Sequence, residues 1–550
     1  MSIANFYVEP GIYPEYEPSE SFPVVPGGVR VVAIIGAGKV TKDVAGKSIT
    51  KGTINSKDTL EATGTVTAIS RVYTDTVEYE AGVDYQLTSN KVDWSLVIKA
   101  ALTSGEAGDY DFFAGEATPV AKTIIFSVDG GAYQTVTLNV LPTPADYSAQ
   151  DVVDAINAQT SGCTASVETV IADEYVKITS DATNGSSIVF GAGTANTVLG
   201  FSDGLANEGS KEPVAASTYY VDYTRARLTT EYTAQYWYSM VAIINEFGPA
   251  DTTSPISLAS QIAYENGATV WLLAQTNAAD GSEYQQYVAA LAKLTAKDCN
   301  IVVPITTNQN IFSIVKSHVV SMSTQLQRKW RIAFIGVTGS KTVSQMNTLA
   351  TGLNSRRVVL VYPEVAKRMI GDTETSLDGS YIAAALAGIN ANPNYDVATP
   401  LTRKDVVGFT ELVANLNLRT EKNSIASNGV CIVDFDGTNS RVRHGKTTAI
   451  DTVINQEISL TNITDYVSEV MYRALENIYT GRKIVDDTTL DVKVTIQSLL
   501  NQLVGNDILV GWQNITVTQN ITDPTQIDVT FEISPVMPLN YINIVFSINL

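Results

Sequence analysis

Between residues 268 and 362 the chain repeats one alternation: ATVWLLA (268–274), IVVPI (301–305), RIAFIG (331–336) and VVLVY (358–362), separated by segments with helical spacing. The four runs are rich in β-branched residues and lack a polar face, the pattern of strands buried on both sides. The segments between them differ. In Glu283–Asp298, Tyr287, Leu291 and Leu294 recur three and four residues apart, on one helical face. Ile311–Lys329, Thr342–Leu353 and Ser380–Asn390 read the same way. Strand alternating with helix means a parallel sheet with helices over both faces. An α/β domain is expected over residues 240–431.

Downstream, residues 432–534 hold two amphipathic helical patterns, Thr464–Tyr479 (Val467, Met471, Ala474, Ile478) and Leu490–Val504 (Ile496, Leu499, Leu500, Leu503), then a strand at Ile527–Ile533. Residues 535–550 end in a further strand pattern, Tyr541–Leu550, with Ile542, Ile544, Phe546, Ile548 and Leu550 on one face and no charge in the run. Each of those side chains is worth about 1.5–3 kcal/mol when buried, so the strand requires a partner. It either closes its own sheet or adds to a neighbour's.

Upstream, residues 1–28 carry Pro at 10, 14, 18, 23 and 26 among Phe6, Tyr7, Tyr13, Tyr16 and Phe22. Proline blocks helix, and a solvated linker would lack the aromatics, so an extended arm lying on another surface is expected. Val29–Gly36 (VRVVAIIG) is a buried strand pattern, placed in a segment 29–49. Short alternating runs at 50–104 and 213–239 indicate a β-rich domain, split by an insert at 105–212. The insert has 15 acidic and 3 basic residues and reads as α+β: strands about the turn Asp129-Gly130-Gly131, a helix at Ala149–Gln159, and strands at Ala165–Ile171 and Tyr175–Ser180. It resembles a small module of phage and flagellar surface proteins.

Composition narrows the function. The 550 residues are 45% hydrophobic and carry a net charge of −21, enough apolar content for several cores and a poor match to phosphate backbones. No apolar run approaches the roughly 20 residues that span a bilayer, and MSIANFYVEPG has no secretory pattern. A soluble chain made in the cytoplasm is expected. Cys163, Cys299 and Cys431 lie far apart with no histidine beside them, so they read as small buried hydrophobes rather than a disulfide or zinc site. Gly36-Ala37-Gly38-Lys39-Val40 misses the phosphate-loop pattern at Ala33 and Val40, and Gly445-Lys446-Thr447 misses it at Ser440. With only His318 and His444 as bases, and no GxSxG, nucleophile–histidine–acid catalysis has no support. No catalytic residue, metal site or cofactor is expected. Basic islands at Arg356/Arg357/Lys367/Arg368, Arg403/Lys404, Arg441/Arg443/Lys446 and Arg473/Arg482/Lys483 suit either ordinary surface charge or an acidic partner.

Several segments together resemble the tail sheath proteins of contractile bacteriophages, a family shared with R-type pyocin and type VI secretion sheaths. They are Pro10-Gly11-Ile12-Tyr13 before VRVVAIIGAG, ASQIAYENGATVWL (259–272), DGSYIAAALAGINANPNYDVATPLTRKDVVGF (378–409), RVRHGKTT (441–448) and Pro535-Val536-Met537-Pro538-Leu539-Asn540-Tyr541-Ile542 near the end. The resemblance covers about 1–40 and 240–550. It implies a multidomain α/β and β fold: a subtilisin-like parallel-sheet domain without a triad, an α+β inner core from the N- and C-terminal parts facing a tail tube, the split β-rich domain with its insert on the outer surface, and extended terminal arms. It implies a structural subunit that polymerises as stacked hexameric rings around the tube and contracts to drive the tube through the host envelope. The implied partners are further copies of the chain, the tail tube protein, and baseplate and tail terminator proteins, with no nucleic acid and no membrane insertion. The implied location is the virion tail, assembled in the host cytoplasm. Phe6, Tyr7, Val8, Ile12, Tyr13, Ile542, Ile544, Phe546, Ile548 and Leu550 would make the inter-subunit arm contacts, and Arg473, Arg482 and Lys483 would face the tube. The insert would serve as a solubility and spacing domain or bind glycans or the host surface. Two other readings stay open: another tail or baseplate component, and a hydrolase on a doubly wound domain.

Overall fold

The computed structural model describes residues 29–62, 64–114, 116, 119–140, 146–435 and 439–546. The chain divides into two units, residues 41–228 and the remainder.

The larger unit is built on an eight-stranded sheet in the order Gln235–Trp237, Trp271–Gln275, Val32–Gly36, Ile301–Pro304, Ile332–Gly336, Val358–Tyr362, Val430–Phe435, Ser440–His444. The six inner strands are parallel and the two edge strands antiparallel. Helices Pro255–Glu265 and Gly379–Asn390 pack on one face; Glu283–Leu294, Gln309–Met322, Val343–Leu353 and Arg419–Ser427 cover the other. Alternation is absent from the central strands because both faces are covered. Gly379–Asn390 is buried at all twelve positions, hence its alanines. A Cβ on Gly336 would stand 1.9 Å from the Gly379 carbonyl carbon, so the strand end and helix start touch backbone to backbone.

Three placements differ from the sequence reading. Val32–Gly36, assigned above to the inner core with the C-terminal part, lies in the middle of the α/β sheet, with Val32 opposite both Trp271 and Ile301. The boundary at 432 cuts a strand: Val430–Phe435 and Ser440–His444 finish the same sheet. Gln235–Trp237 is that sheet's other edge rather than part of the β-rich domain. Val32–Gly36 and Val430–Phe435 are apolar enough for any buried strand, whereas Gln235–Trp237 and Ser440–His444 are partly exposed edge strands whose composition does not name their sheet.

Beyond the sheet, helices Ile458–Tyr479 and Thr488–Gly505 pack with the hairpin Leu509–Gln519/Ile527–Pro535 around Ile463, Val467, Met471, Ile496, Leu500 and Leu503. The first of these helices starts six residues before the expected Thr464.

In the smaller unit, Thr218–Ala226 pairs antiparallel with both Thr41–Thr50 and Val66–Tyr73. Ala226 stands opposite Thr41, so the unit's ends are clipped together. The β-rich part thus begins at Thr41, not residue 50. Its core centres on Trp94, whose Nε1 donates to Asp58 Oδ2 at 3.1 Å, while the Tyr219 hydroxyl donates to the same oxygen at 3.0 Å. The insert has its own core around Phe126, Val152, Ile156 and Phe190. Its helix Ala149–Gln159 begins at a Ser148/Asp151 capping box. At the hairpin turn Asp129 and Gly130 have φ of 52° and 67°, and Gly131 N–H returns to Val128 O at 2.9 Å. These are the two left-handed positions a type I′ turn requires.

Candidate functional site

Three features of the larger unit's surface stand out. The first is the segment after the hairpin. Val536 N–H still bonds Ile508 O at 3.2 Å, and burial alternates up to Asn540. Thereafter Ile542, Ile544 and Phe546 are 75, 78 and 79% exposed and form no strand. An uncharged apolar face is thus open to solvent. Ile548 and Leu550, like Phe6, Tyr7, Val8, Ile12 and Tyr13, lie outside the described residues.

The second feature is the hairpin. Among the described residues Leu509–Gln519 and Ile527–Pro535 pair only with each other, which leaves two ladder edges. One side of the hairpin is covered, with Trp512, Val517, Val529 and Phe531 packed on the helical core. An edge with one supported face is a ready template for another strand.

The third is the helix Ile458–Tyr479, which has two working faces. Leu460, Ile463, Val467, Met471 and Leu475 point to the helix–hairpin core. About half a turn away, Asn462, Asp465, Tyr472 and Glu476 meet arginines that precede the parallel strands. Arg30 Nη2 donates to Asn462 Oδ1 at 2.7 Å, and Arg357 Nη1 pairs with Asp465 Oδ2 at 2.5 Å. Arg356 bonds Thr464. Arg328 lies 4.4 Å over the Tyr472 ring and pairs with Glu476 at 3.2 Å. Burial lowers the Arg30 guanidinium to about 10 against the pull of Asp465 and Glu469. Nothing in the spacing of Arg30, Arg328, Arg356 and Arg357 reveals this seam, because they converge only through the sheet. The polar stripe at 462, 465, 469, 472 and 476 was the available signal.

The seam corrects part of the basic-island reading. Arg356 and Arg357 are used within the chain, Arg368 forks onto Glu265 at 2.6 Å, Lys367 pairs with Glu411, and Arg441 pairs with Asp405. The Arg473 side chain is 69% exposed and pairs with Glu469 on its own helix, while Arg482, resting 5.9 Å from the Tyr479 ring, and Lys483 are exposed.

Both histidines are engaged in packing. His318 Nε2 lies 2.7 Å from Nη1 of the fully buried Arg331, and burial, then the Arg331 charge, lowers the imidazole to about 4. His444 Nε2 bonds Glu457 Oε1 at 2.6 Å. All three cysteines are buried free thiols.

Residues 280–448 match the family model for the phage tail sheath protein central domain. The match takes in five of the sheet's eight strands, from Ile301–Pro304 to the edge strand Ser440–His444. Residues 29–106 match a domain of unknown function, DUF4815. The chain is 32% identical over 320 residues to the tail sheath protein of Mycobacterium phage Bxz1, covering 55% of this chain and 54% of that protein. It is 26% identical over 247 residues to the tail sheath protein of Bacillus phage SP01, covering 44% and 42%. The chain therefore spans about half the length of the curated relatives it matches. The contracted helical sheath of the anti-feeding prophage aligns at a TM-score of 0.47 and 15% identity, over 58% of this chain and 88% of that one. Over about half of its length the chain is similar to phage tail sheath proteins, and residues 280–448 match the model of their central domain.

Proposed function

We propose that this chain is the structural subunit of a contractile tail sheath, which polymerises as stacked hexameric rings around a tail tube and contracts to drive the tube through the host envelope. The observation that carries the reading is the complementarity of two surfaces: an uncharged apolar segment exposed at Ile542, Ile544 and Phe546, and a hairpin with two unpaired edges over a packed face. A second copy of the chain offers each surface what it lacks. Strand addition satisfies the edge N–H and C=O groups, and the apolar side chains, worth about 1.5–3 kcal/mol each, leave water. The N-terminal arm, through Phe6, Tyr7, Val8, Ile12 and Tyr13, takes the other edge.

In this reading the doubly wound central domain is a subtilisin-like scaffold with no catalytic duty, and the energy for contraction is stored at assembly. Arg473, Arg482 and Lys483 meet acidic side chains of the tube protein through screened contacts that break on triggering. The acidic insert faces outward. Baseplate and terminator proteins bound the polymer, which assembles in the host cytoplasm and resides in the virion tail. The test is negative-stain microscopy of the purified chain beside a truncation lacking 541–550. Tubes from the full chain and single subunits from the truncation support the reading. Tubes from both refute the strand-exchange role of the arm, and single subunits from both, with tube protein added, refute the sheath role.

A further inference from the structure

Three segments singled out in the sequence converge at one point. Pro400-Leu401-Thr402, His444-Gly445 of the edge strand's end, and Asn540-Tyr541 meet around Glu457, the residue before the long helix. Glu457 is 4% exposed. Its Oε1 accepts from His444 Nε2 at 2.6 Å and from Asn540 Nδ2 at 3.0 Å. The other end of the Asn540 amide accepts from Thr402 Oγ1 at 3.5 Å, and that hydroxyl accepts from Gly445 N–H at 3.2 Å. Tyr541 sets its ring edge-on to His444 with centroids 6.2 Å apart. From Tyr541 to Phe546 the chain is exposed.

A buried carboxylate is expensive unless its lone pairs are filled, and bonds to a charged acceptor are the stronger ones. Here a buried carboxylate holds a residue 83 positions away, at the start of the exposed stretch Tyr541–Phe546. We infer that Glu457 is a positioning residue that anchors the root of the 541–550 strand, so that the strand leaves the α/β sheet from a fixed point toward a second copy of the chain. The inference rests on the strand-exchange reading above and adds its geometric control. Ten extended residues reach about 33 Å, so a fixed root confines the strand to a short arc and raises its effective concentration at the acceptor edge. A fixed root also sets the register, which a strand with period-two faces requires.

Asn540→Ala tests this while leaving the His444–Glu457 pair in place. Two readouts are taken on the full chain: the concentration at half-assembly, by light scattering and microscopy, and chymotrypsin nicking after Tyr541 in unassembled protein, normalised to nicking after Phe546 beyond the anchor. The expected result is a half-assembly concentration about tenfold higher, equivalent to about 1.4 kcal/mol, and about tenfold faster relative nicking at Tyr541. Glu457→Gln, which keeps an Oε1 acceptor but removes the charge, falls between wild type and Asn540→Ala in both. Wild-type values for Asn540→Ala in either readout overturn the inference. If a chain lacking 541–550 assembles normally, the strand-exchange reading fails instead, and the anchor is decided by the nicking ratio alone.

Discussion

Acidification should weaken the α/β sheet through His318. Arg331 is fully buried, its Nη2 donating to Leu294 O at 2.9 Å and Lys297 O at 2.5 Å, at the end of the helix Glu283–Leu294. Its Nη1 rests 2.7 Å from His318 Nε2, which accepts only while the imidazole is neutral. Burial, then the Arg331 charge, lowers the imidazole from 6.5 to about 4 in the folded chain. The unfolded chain therefore takes up the proton first. Stability is complete above pH 6.5 and falls by about 1.4 kcal/mol per pH unit toward pH 4. About 2 kcal/mol is lost by pH 5 and about 3 by pH 4. His318→Gln keeps a neutral acceptor for Arg331 and cannot titrate. Urea denaturation of both proteins at pH 7 and pH 5, followed by tryptophan fluorescence, isolates this one group because every other titration cancels in the difference. The variant should gain about 2 kcal/mol relative to wild type between the two pH values. An equal offset at both pH values refutes the account.

The arginine seam and the exposed cations should separate in the same assay. Arg357→Ala strands Asp465, whose side chain is 15% exposed, and should destabilise by about 3 kcal/mol, whereas Arg473→Ala, at an exposed pair, should stay within about 0.5 kcal/mol. Gly336→Ala pushes a Cβ into the Gly379 backbone, which cannot yield as a side chain would, and should cost about 3 kcal/mol with a visible fall in melting temperature. Charge reversal at Arg473, Arg482 and Lys483 together should leave the melting temperature within a few degrees (about 2 °C) of wild type while abolishing co-sedimentation with tube protein, and high salt should weaken the wild-type contact in the same direction.

Local chemistry was legible in the sequence wherever a few neighbouring residues decide the outcome. The runs at 301–305 and 358–362 carry their burial in their composition, and Asp129-Gly130 announces a turn because few other residues accept two positive φ values in succession. Partner choice was not legible. Val32–Gly36 could pair in any sheet by its own composition, and its neighbours Trp271 and Ile301 are more than 230 residues away. The arm strand shows the converse case: its alternation is plain, yet Ile542–Phe546 forms no strand, since a ladder requires a second chain segment at its edge. Glu457 gave no signal because an acid before a helix is ordinary, and only the fold brings His444 and Asn540 to it.

The central position of Val32–Gly36 also governs the order in which the molecule can form during synthesis. The ribosome delivers this strand first, but Ile301–Pro304 follows more than 260 residues later, roughly 13–50 s at usual elongation rates. Its other neighbour, Trp271–Gln275, emerges only about 30 residues before Ile301, so for most of that interval a bare β-branched segment has no ladder. The inserted unit shortens the delay in conformational terms. Once Ala226 pairs with Thr41, the residues between them cease to count as slack. The loop to be closed then falls from about 265 to about 80 residues, which reduces the entropic penalty by about 1 kcal/mol. The insert can therefore fold while the sheet is still being made, and its folding draws the ends of the sheet's longest connection together before the last strands emerge.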